Sequence, residues 1–162
     1  MGRLKELNDD INKIITLISK DQDLCKLLTI YDKSNVLEQP DINNTLIELN
    51  NKEVISTNRH FPISEKADVK LNIIIGKLRP SKGGYFKFNN ITFEILVHND
   101  LWDVKDGIRA LYIADRLEYI LSNNKELSIG ELEFSDGDFI TKTELFQGYY
   151  ISFKAVNFSG YR

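Results

Sequence analysis

Two histidines, His60 and His98, are the imidazoles that this chain of 162 residues offers for acid–base or metal chemistry. His98 is followed by Asp100 and Asp103, and this set is the best metal-binding combination in the sequence. A metal site needs several ligands at compatible spacing, and two histidines with one cysteine do not supply them. Asn and Asp residues after a strand also satisfy local backbone groups, so we interpret His98 as the end of a strand that enters a turn.

Three carboxylates, those of Asp41, Asp68 and Glu94, are candidates for the metal centre of a small nuclease. Such a centre combines acidic ligands with an acid-x-Lys pattern on a strand, which holds the metal and the attacking water. Residues 68–70 have this pattern, but residues 103–105 repeat it, which shows how easily chance supplies it. We keep a metal-dependent nuclease as the alternative function from a different class.

Other catalytic patterns are absent from the sequence. Cys25 lies at helical spacing among Leu24, Leu27 and Leu28, which is typical of a core position. No Gly-x-Ser-x-Gly elbow and no Gly-x-x-x-x-Gly-Lys-Ser/Thr phosphate loop occurs. We therefore expect a protein that is not an enzyme and that uses no cofactor or metal ion.

The N-terminal part of the chain is expected to be helical. Apolar residues recur at intervals of three and four over residues 4–18, which predicts an amphipathic surface helix. Residues 19–23 can end it and cap a second short helix that buries the three leucines next to Cys25. Turn formers dominate residues 31–63, so a loop-rich segment follows, and its backbone needs partners, which makes it a candidate contact with another protein.

Alternation of apolar and polar residues predicts two long strands, Val69–Leu78 and Ile91–Val97. Together they form a long β-hairpin whose tip, at residues 79–88, should protrude. Ile74 and Leu96 interrupt the polar face of this hairpin. Another element of the chain or a neighbouring subunit is therefore expected to cover them.

Aromatic residues near the hairpin tip and in the last strand are candidate contacts, because exposed aromatic side chains favour interfaces. The tip also carries lysines. The predicted partner or oligomer interface consists of Ile74, Leu96, Lys82, Tyr85, Phe86 and Tyr150.

A second strong apolar stripe predicts a helix over Gly107–Ser122, with Asp106 as its N-cap. The stripe consists of Ile108, Leu111, Ala114, Leu117, Ile120 and Leu121. Three strands are predicted after it, at residues 129–134, 139–145 and 149–156, separated by a turn at Asp136-Gly137 and a break at Gly148.

This order of elements indicates an α+β fold, in which N-terminal helices and a central helix pack on one face of an antiparallel sheet. We expect a single domain over residues 1–162. Its parts are the helical residues 1–30, the loop-rich residues 31–63, and residues 64–158 with the hairpin, the helix and the C-terminal strands.

The composition supports a folded domain, because 42% apolar and 28% charged residues allow a real core. A net charge of -3 without a basic patch argues against a protein that holds nucleic acid through its phosphates. The N-terminus is acidic where a secretory leader would be apolar, and no run approaches the length of a membrane span. We therefore expect a soluble protein made in the cytoplasm, with no membrane partner.

Four segments together resemble the tail terminator, or tail completion, proteins of tailed bacteriophages. They are Ile91-Thr-Phe-Glu-Ile-Leu-Val-His-Asn-Asp-Leu-Trp, Gly107-Ile-Arg-Ala-Leu-Tyr-Ile-Ala-Asp-Arg-Leu-Glu-Tyr-Ile-Leu-Ser, Ile129-Gly-Glu-Leu-Glu-Phe and Gly148-Tyr-Tyr-Ile-Ser-Phe-Lys-Ala-Val. The resemblance covers residues 65 to 158 and lies in the order of strand, linker, helix, small strand hairpin and closing strand.

The resemblance implies a virion structural protein that forms a ring, commonly a hexamer, at the head–tail junction. Such a ring caps the tail tube and joins it to the head connector, while genomic DNA passes through without specific binding. A ring can use unpaired strand edges and half-covered sheet faces that a monomer would avoid. Another phage neck, adaptor or minor tail protein is the alternative within the same class.

Overall fold

The structure is a computed structural model that describes residues 3–57, 65–80, 86–128 and 130–156. Helices α1 to α4 and strands β1 to β7, with two short 3-10 turns at Val36–Glu38 and Asn99–Leu101, make up the described chain. In chain order they are α1 Arg3–Lys20, α2 Gln22–Thr29, α3 Thr45–Asn51, β1 Ile55–Thr57, β2 Val69–Pro80, β3 Phe86–His98, β4 Asp103–Val104, β5 Gly107–Ile108, α4 Arg109–Ser122, β6 Glu131–Thr141 and β7 Phe146–Val156.

Five strands form the main sheet, in the order β1-β2-β3-β7-β6. The pairs β2–β3, β3–β7 and β6–β7 are antiparallel, whereas β1 runs parallel to β2. The sheet is therefore mixed. The predicted α+β fold and the long hairpin are confirmed, and the short strand β1 is an addition that the sequence pattern did not indicate.

One face of the sheet is covered by helices, and we call it the helix face. Helix α4 contacts β3, β7 and β6, while α2 contacts β2 and is flanked by α1 and α3. Phe93 and Phe153 meet edge to face at 5.9 Å between ring centroids in the centre of this layer. The fully buried aliphatic residues around them include Leu24, Leu27, Leu28, Leu71, Ile73, Ile95, Ile113, Leu117 and Leu121.

The two N-terminal helices are confirmed, and Asp21 caps α2 by accepting a hydrogen bond from the Leu24 N–H at 2.8 Å. The segment predicted to be loop-rich contains more regular structure than expected. Asn44 caps α3, and β1 obtains its hydrogen bonds from β2. Short elements like these lack a periodic signal of their own, because neighbouring parts of the fold provide their partners.

Helix α4 begins two residues later than predicted, and its N-cap position is Ile108, without a side-chain cap. Asp106 has a φ of 69° and lies in the turn between the paired strands β4 and β5. The buried face is also rotated relative to the predicted stripe. It consists of Arg109, Ala110, Ile113, Leu117 and Leu121, whereas Leu111 is 46% exposed.

The C-terminal region forms two long strands, so the predicted three-strand arrangement is wrong. Gly137 lies inside β6, and the predicted turn corresponds to a register shift between Phe134 and Asp136. Gly148 does not break β7, because it pairs with both Leu96 and Ile140. A Cβ atom at Gly148 would lie 1.7 Å from the Ile95 carbonyl oxygen, so glycine is required by the close approach of β3.

A buried arginine fixes α4 to the rest of the fold. Arg109 is 1% exposed, and its Nε donates to the Leu101 carbonyl oxygen at 2.8 Å. One terminal nitrogen donates to the carbonyl oxygens of Leu27 at 2.7 Å and Ile30 at 3.0 Å. These last two carbonyls belong to the C-terminal end of α2, where backbone acceptors have no partners within the helix and positive charge is favourable.

Burial lowers the pKa of Arg109 to about 10, and Tyr31 opposes that shift. The guanidinium therefore stays protonated near neutral pH. Two turns further along α4, Arg116 forms an ion pair with Asp21, and its Nε also donates to Asp21 Oδ1 at 3.3 Å. Helix α4 thus contacts both ends of α2.

Replacing Gly148 tests the close approach of β3 and β7. We expect Gly148→Ala to lower the free energy of unfolding by roughly 3 kcal/mol, because the new methyl group overlaps the Ile95 backbone. Urea denaturation followed by circular dichroism measures this loss. Gly76→Ala is the matched control in the same sheet, since its Cβ would lie 3.3 Å from the Asn90 side-chain oxygen, which can move. Equal stability of the two variants would contradict the steric explanation.

Replacing Arg109 tests the role of the buried guanidinium. We expect Arg109→Met to reduce the free energy of unfolding by about 3–5 kcal/mol, because three carbonyl oxygens lose their donor. Arg109→Lys keeps the charge but not the planar fork, so its loss is expected to be intermediate. Lys125→Met is the control, because Lys125 is 81% exposed and its ion pair with Glu131 should contribute about 1 kcal/mol at most. If Arg109→Met and Lys125→Met had the same free energy of unfolding, the proposed role of Arg109 would be ruled out.

Candidate functional site

The predicted interface residues do not come together on one surface. Ile74 and Leu96 lie on the face of the sheet opposite the helices, which we call the open face, and Leu96 is only 3% exposed within the single chain. Its own chain therefore covers Leu96, and no neighbouring subunit is needed for that. Lys82 and Tyr85 lie outside the described residues, and Phe86 is described only as the first residue of the β3 backbone.

A chain of polar contacts crosses the open face. Ser56 donates to the Asn72 amide oxygen at 3.1 Å, and the Asn72 amide nitrogen donates to Glu94 Oε1 at 3.0 Å. Lys142 lies 3.4 Å from the other oxygen of Glu94. Ser56 and Asn72 are 9% and 5% exposed, so these buried polar groups find the partners that burial requires across three strands of this face.

An apolar groove of about 430 Å³ lies between α4 and the strands β6 and β7, and we call it the α4–β6 groove. Its apolar parts come from both sides: Leu111 is 46% and Phe134 47% exposed, while Ile151 is 6% exposed. The lining residues are Leu111, Ala114, Asp115, Glu118, Phe134, Gly137, Asp138, Tyr149, Tyr150 and Ile151. Exposed apolar surface at a concave site is typical of a binding surface.

The absence of a side chain at Gly137 keeps this groove open. Gly137 pairs with Ile151 on the helix face, between Phe134 and Phe139 in the same strand. A Cβ atom there would lie 3.0 Å from the Tyr150 carbonyl oxygen and 3.5 Å from the Phe134 ring. Beyond the groove, Phe139 and Tyr149 meet edge to face at 5.6 Å, and Tyr149 stacks on Trp102 at 6.5 Å.

Acidic side chains lie on both faces of the sheet near the groove, because Asp136 and Asp138 flank Gly137 and therefore belong to the open face. Asp115 and Glu118 are exposed on α4, and Asp136 and Asp138 are exposed on β6. Within the described part of the chain, none of the ion pairs involves these four carboxylates. The groove therefore combines an apolar floor with the exposed carboxylates of Asp115 and Glu118 on its α4 side, which favours a partner with apolar and basic side chains.

Tyr150 belongs to the open face, where it pairs with Glu94 and Asp138 and lies next to Asp136. Its hydroxyl donates to Asp136 Oδ2 at 3.2 Å. Desolvation, followed by the charge and hydrogen bond of Asp136, raises the pKa of Tyr150 above its ordinary value, and Asp138 contributes in the same direction. The backbone carbonyl of Tyr150 lies beside Gly137 in the groove, whereas its side chain belongs to the open face, and its role as a contact stays a prediction.

Strand β6 forms an edge of the sheet beside the groove. Its 11 residues pair with β7 on one side, and no strand pairs with the other side among the described residues. Residues 133–139 are all exposed. A long unpaired edge exposes backbone donors and acceptors that another chain can use.

The sequence pattern His98, Asp100 and Asp103 has a structural explanation. His98 is 4% exposed, its Nδ1 accepts from the Asp100 N–H at 3.1 Å, and its ring meets Phe146 edge to face at 5.2 Å. His98 thus caps the 3-10 turn that follows β3, as its interpretation as a strand end predicts. Asp103 is exposed at the start of β4.

The carboxylates of the nuclease hypothesis have separate partners. Asp41 pairs with Lys26 at 3.0 Å, Asp68 pairs with Lys70 at 3.5 Å, and Glu94 belongs to the open face. In residues 3–57, 65–80, 86–128 and 130–156, no group of three or more His, Cys, Asp and Glu side chains could hold a metal ion. The structure does not bring these three carboxylates into one site.

Cys25 is fully buried, and its thiol lies 3.2 Å from the Ile18 carbonyl oxygen. Burial raises the pKa of Cys25 to about 12, with a further contribution from Asp21. Because the thiolate is the nucleophile, this shift disfavours reactivity near neutral pH. The expected core position of Cys25 is confirmed.

Comparison with known proteins gives one finding about family. A protein-family model described as YomW matches residues 21–155, which include every residue that lines the groove. No curated protein and no solved structure matches the chain. Among the described helices, none has the length and apolar character required to cross a membrane.

The effect of the β6 acids on the open face can be tested through the ionisation of Tyr150. Removing a nearby negative charge makes phenol deprotonation easier, so we expect Asp136→Asn to lower the pKa of Tyr150 toward its ordinary value. Asp138→Asn should lower it less, and Asp9→Asn on α1 should not change it. NMR titration of ¹³Cζ-labelled tyrosines, with Tyr150→Phe for assignment, measures these shifts. An unchanged pKa in Asp136→Asn would show that the charge of Asp136 does not act on the Tyr150 hydroxyl.

Proposed function

Because the chain belongs to the YomW family, a phage-derived family of the SPbeta/Bacillus prophage type, we propose that this bacteriophage protein is a tail terminator, a ring-forming virion subunit at the head–tail junction. The sequence predicts a bacteriophage protein, and membership of this family supports an association with bacteriophages. The role within the virion is our proposal.

The observation that carries the proposal is the long exposed edge β6 with the α4–β6 groove beside it. Proteins normally protect such an edge with charge, a bulge or a covering element, and β6 has acidic residues and a register shift, but these leave its aromatic side chains uncovered. Here Phe134 and Phe139 are 47% and 45% exposed along the edge, which indicates that protein–protein contact completes the surface. A head-to-tail contact between copies forms a ring when its repeated rotation completes a full turn, and we propose this geometry here.

In this proposal the ring, with six subunits as the resemblance implies, caps the tail tube and contacts the head connector. Genomic DNA passes through it without specific binding. The net charge of -3 is compatible with this role, because DNA is held mainly by neutralisation of its phosphates. The protein works through contacts between subunits and between rings, and it resides in the virion neck.

Imaging of particles that lack the protein tests this role. We expect deletion of its gene from the phage to give DNA-filled heads and separate tails, because the joining ring is missing. Expression of the parent protein in trans should restore joined particles, and a labelled parent should lie at the neck by electron microscopy. Cryo-electron microscopy of the restored particles gives the ring size.

Joined, infectious particles without the protein would contradict the proposal, and so would a label on the capsid shell or the tail tip. A label at the neck with normal joining would favour another neck or adaptor role. The nuclease alternative has its own assay, which is divalent-ion-dependent DNA cleavage by the parent and by Asp41→Ala, Asp68→Ala and Glu94→Ala. Cleavage by the parent that these variants lose would replace the structural role.

A further inference from the structure

We propose that the carboxylates of Asp136 and Asp138 reserve the outer edge of β6, the side away from β7, for a strand with alternating basic and apolar side chains. The same carboxylates keep two copies from pairing through β6 itself. In the proposed ring the added strand belongs to the neighbouring subunit, so the inference rests on that function and names the chemistry of its contact.

The two faces of β6 carry different side chains. Asp136 and Asp138 lie on the open face, whereas Phe134, Gly137 and Phe139 lie on the helix face beside the α4–β6 groove. All five residues are exposed. A strand added to β6 therefore meets carboxylates on one face and apolar surface on the other.

Two amides of β6 are held by the acidic side chains that precede them. The Gly137 N–H donates to Asp136 Oδ1 and the Phe139 N–H donates to Asp138 Oδ1, both at 2.8 Å. Alternate residues of a strand direct their N–H groups to the same side, and these two amides, bonded to their own side chains instead of to β7, lie on the outer side. The carboxylates therefore occupy donors that an added strand needs.

The same carboxylates oppose pairing between two copies of β6. In an antiparallel pair centred on Asp138, this residue would face its counterpart in the second copy. In a pair centred on Gly137, Asp136 would face Asp138. Like charges directly opposite each other destabilise a strand pair. Strand β6 also contains no lysine or arginine that could draw the carboxylates away from the amides.

A strand with basic side chains at alternate positions has the opposite effect. Its cations pair with the carboxylates across from them, which frees the two amides for hydrogen bonds between the strands. Its apolar side chains then lie on the helix face, where Gly137 leaves space between Phe134 and Phe139, and where Leu111 is exposed. In strand addition, main-chain bonds give affinity and the alternate side chains give specificity.

This selection determines the kind of contact that copies can make. A contact between two β6 edges would be two-fold and would end with two subunits. A contact between β6 and a different segment of the neighbour is head to tail and can repeat around an axis, as the proposed ring requires.

Removing the two charges tests the rejection of a second β6 with the full-length protein. Asp136→Asn/Asp138→Asn keeps the size of the side chains without their charge. Asp115→Asn/Glu118→Gln is the matched control, because these acids are exposed on α4 beside the same groove. Analytical ultracentrifugation gives the oligomeric state, and hydrogen exchange measures the protection of the amides of residues 135–141.

We expect Asp136→Asn/Asp138→Asn to form a dimer at least about 10-fold more tightly than the parent, because like charges no longer face each other. Hydrogen exchange over residues 135–141 should be slower in this dimer, and the control should behave like the parent. Equal dimerisation of the parent and the β6 variant would overturn the proposal, and so would a dimer without protection at β6.

Photocrosslinking in phage particles identifies the strand that β6 receives. The photoreactive residue p-benzoylphenylalanine replaces Phe139 at the edge, and in the control it replaces Leu46, which is 46% exposed on α3. We expect position 139 to label a segment of another copy in which basic and apolar residues alternate. Asp136→Lys/Asp138→Lys should abolish this product, because the cations of the added strand would then face cations.

A product within β6 of another copy, in a segment without basic residues or in a different protein would overturn the contact. The absence of a product at position 139 would also overturn it, while the gene deletion would still decide the head–tail role. Conversely, normal joining in the deletion strain would reject the tail terminator function, and the dimer of the uncharged variant would still support the protective role of Asp136 and Asp138.

Discussion

The buried guanidinium of Arg109 is the interaction on which the arrangement of this fold depends. It bonds to carbonyl oxygens of α2 and of the 3-10 turn after β3, so three separate parts of the chain meet at one side chain. A charged group this deeply buried is tolerated only when its donors are used, and backbone acceptors at the end of a helix suit it well. With Arg116 at the other end of α2, it sets the position of α4 on the sheet.

The candidate binding surface follows from that position. Helix α4 is oriented so that Ile113 and Leu117 are buried in the core. In this orientation Leu111 is exposed next to β6. The register shift after Phe134 and the missing side chain at Gly137 then leave a gap between helix and strand. The open face of the sheet differs, because its polar side chains satisfy one another. The two faces of one sheet thus differ, and Leu111, Phe134 and Phe139 remain exposed where α4 meets β6.

Much of the fold could be predicted from the sequence, because long helices and strands carry a periodic signal. The helices α1, α2 and α4 and the hairpin β2–β3 were predicted for that reason. The candidate site was largely missed. The Asp136-Gly137 pair within β6 is typical of a turn, although it follows a register shift in a continuous strand. The exposure of Leu111 depends on the burial of Arg109, and no local sequence pattern indicates that an arginine is buried. Gly148 was likewise mistaken for a break between strands. Glycine is required there because the backbone of β3 leaves no room for a side chain.

The place of β7 has a consequence for how the chain is made. Strand β7 is the last described element, yet it lies between β3 and β6, and its residue Lys154 pairs with Asn90. A growing chain therefore cannot complete its sheet until translation has passed this strand, and such distant pairings form late in folding. The groove also requires β7, because Tyr149 and Ile151 line it. Nascent chains consequently lack the α4–β6 groove, so a partner that binds there would require the finished chain.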